Sequence, residues 1–315
     1  GKQSSDSSQP ESSAAEESSE KETTTAAEET TTAETTTVHV SPTETVSTTL
    51  GTELTDINAM LDKGSDTTNN YKAKLDNFIQ EGDVVQSFTF IVYSADGSSS
   101  LGDFKGGYGV SVKDGCASAT DAGWYQAADF EQSQNSAYAE FTWNVPAEIQ
   151  TEIDPSGEVL FGHWWSNVQQ VKLSSIVCTY TRTKEVPVDG TNSASPAATL
   201  SFNDEAAKTA KIALSDLIGA EDTLQTVTFD ISGTGALGKF TGAFGVSVDK
   251  NADCATDAGW YQTKNVCVFT DSSSLSLTWI VPDDVKESID PSGDVMLGYW
   301  WSDQPSITLN NISVR

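Results

Sequence analysis

The chain has 315 residues, 46 of them Asp or Glu against 17 Lys or Arg, and a formal net charge of −29. That balance argues against nucleic-acid binding, which needs lysines and arginines to displace counterions, and against docking on an anionic membrane through a basic patch. No apolar run approaches the roughly 18 residues of a membrane helix, so a soluble mature chain without membrane insertion is expected, long enough for about two domains.

The first fifty residues hold 10 Ser, 13 Thr, ten carboxylates and two lysines, with no Phe, Tyr or Trp. Such a segment buries too little apolar surface to offset its ordering entropy, which predicts a disordered Ser/Thr/Glu-rich stalk over 1–53, extended by its own charge. Its opening, Gly1-Lys2-Gln3-Ser4-Ser5, resembles the residues just after the lipidated cysteine of a Gram-positive surface lipoprotein. A cut within a longer secreted polypeptide is equally compatible. Either origin implies an extracellular protein tethered at a cell surface.

Beyond the stalk the period of apolar residues is two. Phe88, Phe90 and Val92 alternate with Thr89 and Ile91, and Phe141, Trp143 and Val145 with Thr142 and Asn144. Strands are predicted around 72–75, 84–93, 106–112, 123–127, 138–145, 159–165 and 171–180, separated by Gly, Asp and Ser clusters. Single helical turns such as 147–152 are the only exceptions. The spacing predicts an all-β protein of sandwich or jelly-roll type.

The series then repeats. Asp121-Ala122-Gly123-Trp124-Tyr125-Gln126 returns 136 positions later as Asp257-Ala258-Gly259-Trp260-Tyr261-Gln262, and Trp164-Trp165-Ser166 as Trp300-Trp301-Ser302. Upstream the offset becomes 139, as between Lys72 and Lys211, with the difference taken up at a Gly/Ser hairpin tip over 95–100. Two modules are therefore expected, 54–183 and 199–315, joined by a short linker over 184–198.

Cys116 and Cys178 correspond to Ala252 and Val314, while Cys254 and Cys267 correspond to Ser118 and Glu131. A metal site shared by the copies would keep its ligands, so no metal or other cofactor is expected. An even count in a secreted protein favours disulfides, with Cys254–Cys267 the preferred pairing and free buried thiols the alternative.

All eight tryptophans lie in the modules, four per copy at matching positions. Trp143 and Trp279 fall on the apolar phase of a strand and are expected in the core. Trp124-Tyr125, Trp164-Trp165, Trp260-Tyr261 and Trp300-Trp301 are adjacent pairs, so a regular strand points one member of each outward. Trp164 is the expected outward member of its pair, because Trp165 shares a strand face with Phe161. With Gln126 and Gln262 beside them, these residues form candidate platforms. A pyranose ring stacks its apolar C–H face on indole or phenol while its hydroxyls bond amides.

The GxF/YGVSV stretch from Gly107 to Val112, the Gly-Trp-Tyr-Gln strand, the Thr-Trp-x-Val-Pro strand and the Gly-His/Tyr-Trp-Trp-Ser strand resemble the carbohydrate-binding modules of Ruminococcus-type gut and rumen cellulases and surface proteins. That resemblance, covering nearly all of both modules, implies β-sandwiches with an aromatic strip for plant polysaccharide, often β-glucan. His163 stands where copy 2 has Tyr299, a departure that predicts sites of different strength or specificity.

Paired carboxylates could run glycoside hydrolysis, and Asp121/Asp257, Glu148/Asp284 and Asp154/Asp290 recur in both copies. Asp154-Pro155-Ser156-Gly157, however, is a turn sequence, and Asp121 precedes Ala-Gly in another. No nucleophile elbow, zinc helix or phosphate loop is present. The resulting expectation is a monomeric, non-catalytic binder of plant polysaccharide. Cellulose-like β-glucan is favoured, with starch the alternative ligand and a protein-binding adhesin or scaffold module the alternative class.

Overall fold

The computed structural model describes residues 42–188 and 190–315, so most of the predicted 1–53 stalk lies outside the described residues. Copy 1 contributes β1 (Thr43–Leu54), β2 (Ala59–Asp62), β3 (Asn70–Lys74), β4 (Val84–Ser94), β5 (Gly102–Ser111), β6 (Trp124–Gln126), β7 (Phe130–Gln134), β8 (Tyr138–Asn144), β9 (Glu158–Trp165) and β10 (Gln170–Pro187). Copy 2 repeats the series as β11 (Asn192–Ala194), β12 (Ala198–Ser201), β13 (Thr209–Ala213), β14 (Thr226–Ser232), β15 (Gly238–Ser247), β16 (Trp260–Gln262), β17 (Val266–Thr270), β18 (Ser274–Ile280), β19 (Asp294–Trp301) and β20 (Ser306–Val314).

Each copy is a β-sandwich. In copy 1, β1-β10-β4-β8 with β2 at the side of β10 faces β3-β9-β5, which carries β6 and β7 along β5. In copy 2, β11-β20-β14-β18 with β12 faces β13-β19-β15 with β16 and β17. The period-two pattern decides what is buried. In β8, Ala139, Phe141 and Trp143 point inward while Glu140, Thr142 and Asn144 point out. Trp143 and Trp279 are both buried, as their phase predicts.

Three expectations need correction. Residues 43–53 are not disordered: they form β1, which pairs with β10 over twelve residues. The mean composition of 1–53 hides a local run, Thr43 to Leu54, rich in Thr, Val and Leu, and β10 offers it a complete hydrogen-bond ladder. Much of the expected linker is also structured, since β10 runs to Pro187 and β11 begins at Asn192. The stretch over 95–100 is no hairpin tip, because β4 and β5 lie in different sheets of the sandwich.

β1 has a second partner. Gly51 pairs with Cys267 and Thr52 with Val266 of β17, which fuses one sheet of each copy into a single ten-stranded sheet. Thr52 faces the buried Tyr180 of copy 1, and its partner Val266 belongs to the copy 2 core. Both cores therefore lie on one side of the fused sheet. Leu50 of β1 inserts into the copy 2 core. On the same seam Thr48 Oγ1 donates to the Thr278 carbonyl at 3.0 Å and Lys264 Nζ to the Asp76 carbonyl at 2.8 Å.

The four cysteines are free, contrary to the preferred Cys254–Cys267 pairing. Cys254 packs from its loop against the copy 2 core, whereas Cys267 pairs with Gly51 on the opposite face of that sheet. Burial raises the Cys267 thiol above its ordinary pKa, with Glu53 adding to the shift.

Leu50→Ala should cost about 2–5 kcal/mol, the usual range for truncating a buried leucine. Because Leu50 is carried by a copy 1 strand, urea unfolding read by copy 2 tryptophan fluorescence should register the loss. An unchanged midpoint would show that β1 does not complete the second core.

Candidate functional site

The outer face of the β3-β9-β5-β6 sheet is paved with glycine. Phe104, Tyr108 and Val110 of β5 enter the core, which leaves Gly107 and Gly109 on the opposite face; Gly162 of β9 pairs with Gly107. Indoles fill the space. A Cβ on Gly162 would come within 2.2 Å of the Trp164 ring, one on Gly107 within 2.9 Å, and one on Gly109 would meet Trp124 at 3.6 Å. A side chain at Gly162 would lift Trp164 off the sheet. Trp164 Nε1 donates to Asp129 at 3.0 Å, and Lys72 Nζ stands 4.7 Å from the centre of the Trp124 ring.

Copy 2 builds its face on the same plan, with Ala243 in place of Gly107. A Cβ on Gly298 would come within 2.5 Å of Trp300 and one on Gly245 within 3.6 Å of Trp260. Lys211 Nζ lies 4.7 Å from the Trp260 ring centre and Lys208 Nζ 5.8 Å from that of Trp300.

Neither member of the double-tryptophan pair is core. Trp164 lies half-buried on the outer face, while Trp165 is the more exposed at 52%. The expectation that Trp165 follows Phe161 inward fails because the β5–β9 register shifts between Lys105 and Gly106, beyond which Trp165 clears the sandwich end. Trp301 behaves alike, at 50% exposed beside a shift between Thr241 and Gly242. The neighbours of this pair differ: Lys63 Nζ sits 3.9 Å from the Trp165 ring centre, whereas Trp301 packs on Phe202 at 4.7 Å.

Tyr125 and Tyr261 turn the other way. Tyr125 stacks on Trp143 at 6.2 Å and Tyr261 on Trp279 at 6.1 Å, so each props the core from beneath. Gln126 Nε2 donates to the Tyr108 carbonyl at 2.9 Å and holds β6 to β5; Gln262 is exposed at the same register opposite Gly245. The face thus comprises Trp124, Trp164 and Trp165, or Trp260, Trp300 and Trp301, with its glycine floor and lysines. Sequence reasoning missed Lys72, Asp129 and the glycines as parts of it. The repeat signalled some of them, since Lys72, Gly109 and Gly162 return as Lys211, Gly245 and Gly298, but not Asp129, which is Asn265 in copy 2.

Two of the three recurring carboxylate pairs serve turns. Asp154 Oδ1 accepts from the Ser156 amide at 2.9 Å and hydroxyl at 2.7 Å, and Asp290 does the same with Ser292. The Ser292 hydroxyl, then its amide, hold Asp290 below the usual carboxylate pKa. Asp121 and Asp257 accept from the amides of Ala122 and Ala258.

The family model described as "Domain of unknown function (DUF5620)" matches residues 65–179 and 204–315, one match per copy, and the chain belongs to that family. No curated protein matches it. Among solved structures it is similar to a carbohydrate binding module from glycoside hydrolase family 9 (Cel9A) of Ruminococcus flavefaciens FD-1. The identity is 22% over 39% of this chain and 95% of that one, with a TM-score of 0.35. A second similar structure is the CBM22-1-CBM22-2 tandem of Paenibacillus barcinonensis Xyn10C, 11% identical over 77% of this chain and 82% of that one, TM-score 0.22.

His163 and Tyr299 do not distinguish the two faces, because both are buried beneath them. His163 bonds the Leu61 carbonyl at 3.1 Å and Ser166 at 2.9 Å; Tyr299 bonds Ser302 at 2.6 Å and the Gln304 carbonyl. Burial lowers the His163 pKa, so the folded state binds its proton less readily than the unfolded chain, where the group titrates near about 6.5. The stability it confers is present above that pH and is lost as pH falls through the folded pKa. His163→Tyr, which installs the copy 2 residue, should remove that loss: between about pH 7.5 and about pH 5.5 the urea midpoint should fall less in the variant than in the parent. Parallel slopes would contradict it.

Proposed function

We propose that this member of the DUF5620 family binds polysaccharide without catalysis, through the glycine-floored tryptophan faces of its two copies. The observation that carries this reading is the repeated seating of Trp124 and Trp164, and of Trp260 and Trp300, on one outer sheet face each, with a lysine ammonium beside each first tryptophan. Indole faces offer stacking surface to the C–H face of a sugar ring, and exposed N–H donors beside them suit ring hydroxyls. A face laid on a β-sheet favours a flat ribbon such as a β-glucan over the curved helix of starch. Asp121, Asp154, Asp257 and Asp290 are occupied in their own turns, which supports binding rather than hydrolysis. A Ser/Thr-rich segment ahead of two such copies suits an extracellular protein held at a surface.

The two faces lie on opposite sides of the fused sheet. Copy 2 carries its face on the outside of that sheet, while copy 1 carries its own on the separate β3-β9-β5 sheet, across its core. One molecule is therefore arranged to hold two chains, rather than to raise avidity by gripping one straight chain twice.

Pull-down against insoluble cellulose, xylan, mannan and starch tests the reading, with retention expected on cellulose. Retention on starch alone would select an α-glucan, and retention on none, with capture of a protein partner, would turn the reading to an adhesin. Trp124→Ala or Trp164→Ala should weaken binding at that face by about tenfold with the fold intact, since an aromatic contact is worth about 1 kcal/mol beyond its area. Trp143→Ala should instead cost about 3–5 kcal/mol of stability. If thermal melts and affinity gels show every truncation unfolding the protein and none weakening binding selectively, the faces are structural. Pure protein should release no reducing sugar from any of these glucans.

A further inference from the structure

Fusion of the two sheets creates a groove that neither copy has alone. On the outer side of the fused sheet, Tyr93 of β4 and Tyr138 of β8 form a cross-strand pair with ring centres 5.0 Å apart, exposed at 38% and 37%. Opposite them stands Trp301 of copy 2, and together they border a groove of about 810 Å³, within the roughly 300–1,000 Å³ typical of ligand clefts. Its floor holds an ion pair that spans the copies, Lys239 Nζ to Glu53 Oε1 at 2.7 Å, with the Glu53 carboxylate nearly buried.

The copies differ at this junction. The strand pair Tyr93–Tyr138 corresponds to Ser232–Ser274 in copy 2, at the same cross-strand register. Phe269, which is 40% exposed, neighbours Lys239 across β15–β17 and corresponds to Ser133 in copy 1. Three exposed aromatics thus occur where the copies meet, and serine stands at the matching positions away from it.

We propose that this groove is a third polysaccharide-binding site, in which Tyr93–Tyr138 and Trp301 stack successive sugars of a chain that continues onto the copy 2 tryptophan face. The inference rests on the glycan-binding reading of that face, which shares Trp301 and the same side of the sheet. The chemistry of the floor selects the ligand class. An apolar protein anchor would cover the Glu53–Lys239 pair and strip its remaining water, whereas sugar hydroxyls can replace that water bond for bond. Aromatic walls around a polar, charged floor suit a ring with apolar faces and a hydroxylated rim.

The test uses the full chain and the double variant Tyr93→Ser/Tyr138→Ser, which installs the pair that copy 2 already carries at this register. Affinity gels with hydroxyethylcellulose, soluble xylan and amylopectin are run beside thermal melts. A Trp124→Ala/Trp164→Ala variant disables the copy 1 face, so that the remaining binding reports copy 2 and the groove. In that background the serine pair should weaken retention by about tenfold, with the protein still folded at the assay temperature and its melting temperature lowered by only a few degrees. Trp301→Ala should weaken it similarly, and Trp301→Phe should recover part of the loss. If the parent binds a glucan and the serine pair leaves affinity unchanged, the groove is overturned while the faces stand. If the parent binds none of the three polymers, the glycan reading and the groove fall together.

Discussion

Strand β1 is the interaction on which the rest of the arrangement depends. A strand at a sheet edge presents unpaired amides and carbonyls that must be paired, covered or blunted. Here β1 spends one edge on β10 along its whole length and the other on two residues of β17. Two pairs would be a weak tie by themselves, but Leu50 buries in the copy 2 core at the same point and Glu53 meets Lys239 just beyond it. The contact is heterologous: an edge of the β1 type meets an edge of the β17 type, rather than like meeting like. The two copies therefore expose unlike surfaces despite their shared plan.

Glycine plays the corresponding part within each face. A strand normally sends a side chain outward at every second position. By placing Gly107, Gly109 and Gly162 there, β5 and β9 leave a shallow bed whose depth matches an indole. The tryptophans are then positioned by the sheet instead of standing from it on free rotamers, so little side-chain entropy remains to be lost on binding. Asp129 fixes the Trp164 ring further through its N–H.

Much of this was legible in the residues. Period-two patterning placed the principal strands and put Trp143 and Trp279 inside, because a buried sheet face constrains every second residue. Repetition marked the two copies. Failures came where local pattern and three-dimensional context part. Trp165 left its expected phase because a one-residue register shift precedes it, and no feature of the Trp-Trp dipeptide announces that shift. Tyr125 is the inward member of its pair, as alternation allows, but alternation alone could not choose between it and Trp124. The first strand was hidden by averaging over a Thr/Ser-rich segment, although threonine is itself a good strand residue. The fused sheet had no signal at all, since duplication fixes the plan of each copy and says nothing about how they meet.

Divergence between the copies is unevenly placed, and its distribution is informative. One buried stack is common to both copies, Tyr125 on Trp143 and Tyr261 on Trp279 at interplanar angles of 8° and 6°, whereas Phe88, Phe130, Phe141 and Phe161 of the copy 1 core give way to Val227, Val266, Leu277 and Leu297 in copy 2. The His163-for-Tyr299 exchange keeps one contact, because either ring reaches the serine three residues on, and changes the other from the Leu61 carbonyl to the Gln304 carbonyl. Core positions change in size between the copies but stay apolar, or keep a hydrogen-bond partner where they are polar. Exposed positions at the junction obey no such constraint, yet they carry Tyr93, Tyr138 and Phe269 where the matching positions carry serine. A cross-strand aromatic pair stabilises a sheet by about 1 kcal/mol at most, a small return for aromatics left this exposed. Their place is explained by the surface they form together, which exists only because β1 joins the two sheets.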